Sequence, residues 1–323
     1  MVTSDQLGER TVRLVHDVFM LAALRQLQDA PAQAKDIFKR TEGVSLAGVR
    51  SRLRKLVCHE FVVALDESGR RVPAKARAPR NAVYELSSVG YALLDMIDEA
   101  DRWERRWFGP KTPGVAGMLA IGLVADAPSR AIVRGLADGP TRSNELETRV
   151  PGLTRTVLFR RLHDLTMRRL VIREQRNGKV SYELSEAVRE LVTVPLRAAH
   201  CESLRATAED RSLTADLWGL LHVVAPLARV PVELTGTFRV HVESSLTDDV
   251  YLTAASGRIS ALPAPPIGEA QATGSGSTVA WCDVLLGGDP VAIRTDADPA
   301  LVSAILSGLA STLHPAGAAK LDE

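Results

Sequence analysis

Apolar positions in the first third of the chain follow two alternating periods. Val15, Phe19, Ala22, Ala23 and Leu27 fall close to an i, i+4, i+7 stripe, which predicts an amphipathic helix from about Val12 to Gln28. Asp29-Ala30-Pro31 stops it, because proline cannot continue a helix. Ala34 to Thr41 predicts a short second helix with Ile37 and Phe38 inward. Gly43 closes that helix, and Ser45 is placed to cap a third by accepting from its free N–H groups. On the third helix, Leu46 to about His59, a turn of about 100° per residue puts Val49, Leu53 and Leu56 on one face. Ala47, Ser51 and Lys55 point away, with Gly48 and Arg54 beside them and Arg50 and Arg52 flanking the stripe. The period then drops: Phe61–Leu65 and Ala82–Leu86 predict strands joined by a basic, proline-containing tip from Gly69 to Arg80. Ser87 can cap a last helix from about Val89 to Trp107.

The same pattern returns at a constant offset of 109 positions. Leu27, Asp29, Pro31, Ile37, Gly43 and Val44 become Leu136, Asp138, Pro140, Leu146, Gly152 and Leu153 without a gap. Ser45, Val49, Arg52, Leu53 and Leu56 become Thr154, Leu158, Arg161, Leu162 and Leu165. Asn177-Gly178 predicts a tight hairpin turn in the second copy. Tyr84-Glu85-Leu86-Ser87 and Tyr182-Glu183-Leu184-Ser185 match at an offset of 98, so the first tip is eleven residues longer. Helix, helix, helix, strand, tip, strand, helix is the winged helix-turn-helix order, here present twice.

Gly109-Pro110 to Pro113-Gly114 breaks the chain, and Val115–Val124 predicts an apolar helix buried between the modules. A helix from Val188 to about Glu209 ends the second module. Beyond Pro231, Val232–Val242, Asp249–Ala255 and Thr278–Leu286 read as strands, with Gly/Pro/Ser-rich loops from Ala261 to Ser277, including a flexible Gly274–Ser277. Val291–Arg294 predicts a short strand, and Asp298-Pro299 opens a helix to about Leu313 with Leu301, Ile305 and Leu309 inward. The expected fold class is α+β: two tandem winged helix-turn-helix domains, 1–110 and 111–210, then a small α+β domain, 211–323.

A chain of 323 residues suffices for two or three cores, and 46% hydrophobic with 24% charged residues is ordinary for a soluble globular protein. The net charge of +1 hides a polarised distribution: twelve Lys/Arg against five Asp/Glu from Lys35 to Arg80, ten against four from Arg142 to Lys179, and four against eleven from Val230 onward. The two basic windows coincide with the two copies, where basic surface would neutralise phosphates of a nucleic acid. Basic residues that simply solvate helix faces are the alternative. Cys58, Cys201 and Cys282 have no C-x-x-C spacing, which argues against a disulfide framework or zinc ribbon. With no signal pattern at the start and the apolar, uncharged run Thr112–Val124 too short for a bilayer, the expected location is the cytoplasm, with no membrane partner.

The second copy carries Asp138-Gly139-Pro140, Asn144-Glu145-Leu146, Pro151-Gly152-Leu153-Thr154, Leu158-x-x-Arg161-Leu162-x-x-Leu165 and Tyr182-x-Leu184. In these it resembles the HxlR-type winged-helix transcription regulators. The first copy shares Gly43-Val44-Ser45 and Arg52-Leu53-Arg54-Lys55-Leu56, but has Phe19 where that family usually has tryptophan. Both copies lack the family's glycine after the third helix, carrying Glu60 and Arg169. The resemblance implies binding of double-stranded DNA by a homodimer, here with two modules in one polypeptide. The Gly-Asp-Pro start, short strand and Asp-Pro-Ala-Leu helix near the end resemble sterol-carrier-type domains, which implies an apolar cavity for a small hydrophobic ligand.

For DNA contact the candidates in the second copy are Thr154, Arg155, Thr156 and Arg160 on the helix and Arg176 and Lys179 on the wing. Arginine can address guanine O6/N7 bidentately, and Thr156 or Val157 can meet a thymine methyl. In the first copy they are Ser45, Ser51, Arg54 and Lys55, with Arg77 and Arg80 on the wing beside Arg70, Arg71 and Lys75. Its helix offers small outward groups and no central arginine, so the two modules should contribute unequally. Arg52 and Arg161 suit either phosphate contact or an internal pairing. Trp103, Trp107 and Trp218 are candidates for a ligand pocket, with core packing as the alternative. No metal-ligand spacing, phosphate loop, nucleophile elbow or catalytic carboxylate pair is present, so no cofactor, metal or catalytic residue is expected.

These features point to a ligand-responsive DNA-binding regulator rather than an enzyme, whose modules enter successive major grooves about 34–36 Å apart. A tandem winged-helix protein-interaction module and a drug-sequestering protein on a regulator fold are the alternatives.

Overall fold

The computed structural model describes residues 17–109, 127–137, 139–150, 152–176, 178–191, 193–204, 221, 224–243, 249–262, 270–296 and 298–313. The apolar segment Val115–Val124 and Trp218 lie outside these residues. The chain divides into two compact units, one of residues 1–125 with 201–206 and the other of residues 126–200 with 207–323.

In the first unit, helix α1 (Val18–Asp29) leads through strand β1 (Ala32–Gln33) into α2 (Ala34–Arg40) and α3 (Leu46–Cys58). Strands β2 (Val62–Leu65) and β3 (Val83–Leu86) form an antiparallel hairpin, and α4 (Ser88–Phe108) follows. The sheet order is β1-β3-β2, with Ala32 opposite Tyr84. Three of the four helix starts are capped by a side chain: Asp17 accepts from Phe19 N and Met20 N, Ser45 from Gly48 N, and Ser87 from Gly90 N, whereas Gln33 before α2 makes no such bond. The core takes Ala23, Leu27, Ile37, Val49, Leu53, Leu56 and Phe61 as expected, while on α1 Met20 and Leu24 are buried and Phe19 and Ala22 of the expected stripe only partly so. Phe38 departs from expectation. It is 38% exposed, because on a helix of only two turns Ile37 and Ala34 already fill the inward face.

The second unit opens with the same order: α5 (Ala127–Gly135), β4 (Thr141–Arg142), α6 (Ser143–Arg149), α7 (Arg155–Met167), β5 (Val171–Arg176) and β6 (Lys179–Leu184), in sheet order β4-β6-β5. Leu158, Leu162 and Leu165 are buried like Val49, Leu53 and Leu56. The likeness extends to backbone detail. Glu60 (φ 62°) and Arg169 (φ 59°) stand in the left-handed region at equivalent places, as do Gly43 (φ 75°) and Gly152 (φ 92°). Phe61 N donates to Leu56 O and Glu60 N to Val57 O, while Leu170 N donates to Leu165 O and Arg169 N to Thr166 O. Both α3 and α7 therefore end in the same Schellman closure without glycine.

The single helix expected from Val188 to about Glu209 is two among the described residues, α8 (Glu186–Leu191) and α9 (Thr193–Ser203). The remainder of the unit is a five-stranded sheet of β7 (Gly236–Val242), β8 (Val250–Ala255), β9 (Arg258–Leu262), β10 (Ala272–Gly276) and β11 (Arg294–Asp296), with helices α10 (Thr278–Leu285) and α11 (Pro299–Leu313). Its order is β11-β10-β7-β8-β9, with β10 parallel to β7 and the other pairs antiparallel.

Here three sequence expectations are corrected. Thr278–Leu285 is a helix capped by Ser277, although its apolar run read as a strand; over eight mostly apolar residues the pattern does not separate the two. The Gly/Ser segment 272–276 is strand β10, although its composition read as a loop. Its glycines serve close packing: a Cβ on Gly274 would lie 2.6 Å from Phe238 Cζ and 2.8 Å from Trp281 Cη2. The short strand falls at Arg294–Asp296 instead of Val291–Arg294, because Asp289 caps a 3-10 turn over Pro290–Ala292. The last helix matches its expected bounds, with Leu301, Ile305 and Leu309 buried. One core joins Phe238, Val240, Trp281, Ile305 and Leu309 to Leu196 and Ala199 of α9. His200 Nε2 also lies 2.8 Å from Asp283 Oδ1 on α10.

Candidate nucleic-acid interface

Helix α7 holds the sequence candidates of the second copy. Thr154 caps it, its hydroxyl accepting from Val157 N at 3.4 Å, so this oxygen is engaged in starting the helix. Thr156 and Arg160 lie exposed on the outer face one turn apart. Among the described residues Arg160 has no ion-pair partner, and its guanidinium faces water. Arg155 is held in place: Nε lies 3.3 Å from Glu147 Oε1 of α6, and the guanidinium sits 5.6 Å from the centre of the Phe159 ring. Neither partner was singled out from sequence. Glu147 sits eight positions away across the turn between two helices, and only the helix-to-helix angle brings it close.

On the wing, Arg176 pairs with Lys179 across the β5–β6 turn, so two residues close the hairpin, as Asn177-Gly178 predicts. Gly178 supplies the positive φ of 72° that such a turn needs. Lys179 is exposed; Asn177 lies outside the described residues.

In the first copy, Ser45 caps α3 through a 3.1 Å bond from Gly48 N. Ser51, Arg54 and Lys55 are exposed along the outer face, as are Arg77 and Arg80 on the hairpin tip. Arg50 and Arg54 are near enough to act electrostatically on the Tyr84 hydroxyl. Burial is the main influence on that hydroxyl and raises its pKa, while the two guanidiniums oppose the shift.

The open question over Arg52 is answered by geometry. Its Nε lies 2.9 Å and 3.1 Å from the two carboxylate oxygens of Asp17, and its guanidinium covers the Phe19 ring at 4.9 Å. Arg52 thus ties α3 to the capped start of α1. A Cβ on Gly48 would lie 2.9 Å from Val44 Cγ2 and 3.3 Å from the capping Ser45 Oγ, so the glycine serves the packing of the helix start. Arg161, its counterpart, lies 3.6 Å from Asp164 on its own helix.

The tryptophans of the ligand expectation are separated in their roles. Trp103 is 4% exposed and packs against Phe108 at 5.4 Å between ring centres, whereas Trp107 is half-buried with Arg106 over its ring at 5.9 Å. Trp281 fills the C-terminal core against Phe238, and its indole N–H donates to His241 O at 3.1 Å. Among the described residues no three His, Cys, Asp or Glu gather as a metal site, and no helix is long and apolar enough to cross a membrane. Burial pushes the Cys282 thiol up to about 12, so it is inert at neutral pH.

Among solved structures, a UbiJ-SCP2 ubiquinone synthesis protein is similar at 16% identity and a TM-score of 0.23, over 31% of this chain and 90% of its own. A double mutant of the sec-alkyl sulfatase PisA1 is similar at 11% identity and a TM-score of 0.22, over 64% of this chain and 35% of its own. No curated protein matches the chain. Residues 124–200, which contain α5 to α8 and most of α9, match the family described as HxlR-like helix-turn-helix, and this supports an HxlR-type helix-turn-helix of the kind DNA-binding transcription regulators use.

Proposed function

We propose that the chain is a transcription regulator that binds double-stranded DNA through two winged-helix modules, one in each unit. The observation that carries this reading is Arg160. It is exposed, has no ion-pair partner among the described residues, and stands on the outer face of a capped helix inside the matched segment. The tandem arrangement is supported by the shared element order and by the paired left-handed residues Glu60 and Arg169. A homodimer would add a second such pair of modules.

The C-terminal sheet domain is the proposed sensor of a small hydrophobic molecule. Support comes from helix α9, whose Leu196 and Ala199 belong to the core of that domain while the helix continues the second module. A ligand that favours one packing of this core would bias the placement of α7, and only such differential affinity can shift DNA binding.

Enrichment of bound sequences from a random duplex pool tests the DNA reading. Arg160→Ala at fixed salt should lose about 1–3 kcal/mol of discrimination between the enriched and the random duplex. An unchanged ratio would remove Arg160 from base reading, and failure of the native chain to enrich any sequence would remove the function.

A further inference from the structure

The eleven extra residues of the first hairpin form an ordered arm. At its tip Asp66 N donates to Arg70 O at 2.9 Å, and Gly69 N to Asp66 O at 3.0 Å. The Asp66 carboxylate accepts from Ser68 Oγ at 2.6 Å and from Ser68 N and Arg70 N at 2.9 Å each. The chain then returns along β2: Leu65 bridges Arg71, and Val72 N donates to Ala64 O at 2.7 Å. Farther on it meets the end of α3, where Cys58 Sγ donates to Ala74 O at 3.5 Å. Turns at Pro73–Ala76 and Pro79–Ala82 complete the path to β3.

This arm carries Arg70, Arg71, Lys75, Arg77 and Arg80, all exposed, against only Asp66 and Glu67 between β2 and β3. Arg50, Arg54 and Lys55 of α3 are exposed beside it. Among the described residues none of these cations has an ion-pair partner. The second unit is arranged differently. Its hairpin closes in two residues, and Arg155 and Arg161 of α7 lie within ion-pair reach of Glu147 and Asp164, where on α3 only Arg52 is so engaged. Unpaired cations on a pre-shaped backbone suit a regular row of phosphates, whose condensed counterions they release. They carry little sequence information, because phosphates are the same at every step and α3 presents Ala47 and Ser51 where α7 presents Thr156 and Arg160.

We propose that the first unit is a sequence-independent clamp on duplex DNA, its arm supplying much of the salt-dependent affinity while base discrimination stays with the second unit. The inference rests on the DNA-binding reading above. It is tested on the full chain by fluorescence anisotropy with a labelled 30-bp random duplex and with the enriched duplex, over a range of salt.

Neutralising the arm as R70Q/R71Q/K75Q/R77Q/R80Q should flatten the log–log salt dependence by up to about 4–5, at about 0.9 per phosphate contact. Affinity for the two duplexes should fall by the same factor, leaving their ratio intact. The charge-keeping R70K/R71K/R77K/R80K should retain the native slope and ratio, and it also guards against a folding defect in the neutralised chain. R160A should do the reverse of neutralisation, lowering the ratio and changing the slope by no more than about one contact's worth. A native slope in the neutralised chain, a changed ratio there, a lost ratio in the lysine variant, or tighter binding of a single-stranded RNA 30-mer than of duplex would overturn the clamp while leaving DNA binding in place. Absence of salt-dependent duplex binding by the native chain would overturn both readings.

Discussion

Replacing Glu60 by glycine should stabilise the first unit. Glu60 follows α3 with φ 62°, a left-handed conformation in which Cβ crowds the backbone at a cost of about 1–2 kcal/mol for an L-residue. Its side chain is exposed and has no ion-pair or hydrogen-bond partner among the described residues, so truncation removes no polar contact there. The closure itself uses only backbone, with Glu60 N on Val57 O, Phe61 N on Leu56 O, and Glu60 O accepting from the Ser87 hydroxyl. Glycine keeps all of these and relieves the crowding, while adding roughly 0.5–1 kcal/mol of unfolded-chain entropy. The net gain is about 0.5–1 kcal/mol. With a urea dependence of about 1–3 kcal/mol per molar, the midpoint of first-unit unfolding should rise by about 0.2–1 M at unchanged slope. Arg169→Gly should do the same for the second unit, because Arg169 (φ 59°) occupies the equivalent place. Glu60→Val is the control: a β-branched side chain tolerates this conformation least and should lower the midpoint. An unchanged or lower midpoint for Glu60→Gly would show that the left-handed turn costs nothing here and would refute the reasoning.

Arg52→Ala and Asp17→Ala should each destabilise the first unit, and a double-mutant cycle by urea unfolding should give a coupling of about 1 kcal/mol, since the pair is only about a quarter exposed; no coupling would return Arg52 to the list of phosphate contacts. For the C-terminal domain, the apolar probe 1-anilinonaphthalene-8-sulfonate should bind the native chain saturably and change its affinity for the enriched duplex. Binding without an effect on DNA would favour a sequestering protein, and no saturable binding would remove the ligand reading.

Much of the first unit and of the matched segment was legible because helices and hairpins announce themselves locally. Val49, Leu53 and Leu56 share a face at helical spacing, Ser45 and Thr154 stand where caps belong, and Asn177-Gly178 marks a turn. Neighbours along the chain decide these features. The C-terminal domain was less legible. Its helix α10 is short and mostly apolar and its strand β10 is glycine-rich, so neither carries a readable period, and the two meet where Phe238 and Trp281 pack around Gly274.

The sequence by itself determined which residues could meet DNA: a repeated pattern of buried leucines, a helix face bearing Thr156 and Arg160, and a basic hairpin arm. Only the tertiary structure decided which cations remain available. Asp17 takes up Arg52 from 35 positions away, and Glu147 holds Arg155 from the preceding helix. Among the described residues no carboxylate forms an ion pair with Arg160 or with the cationic side chains of the arm. Charge along a chain is additive, but pairing depends on distance in space, and that distance is set by how the helices pack.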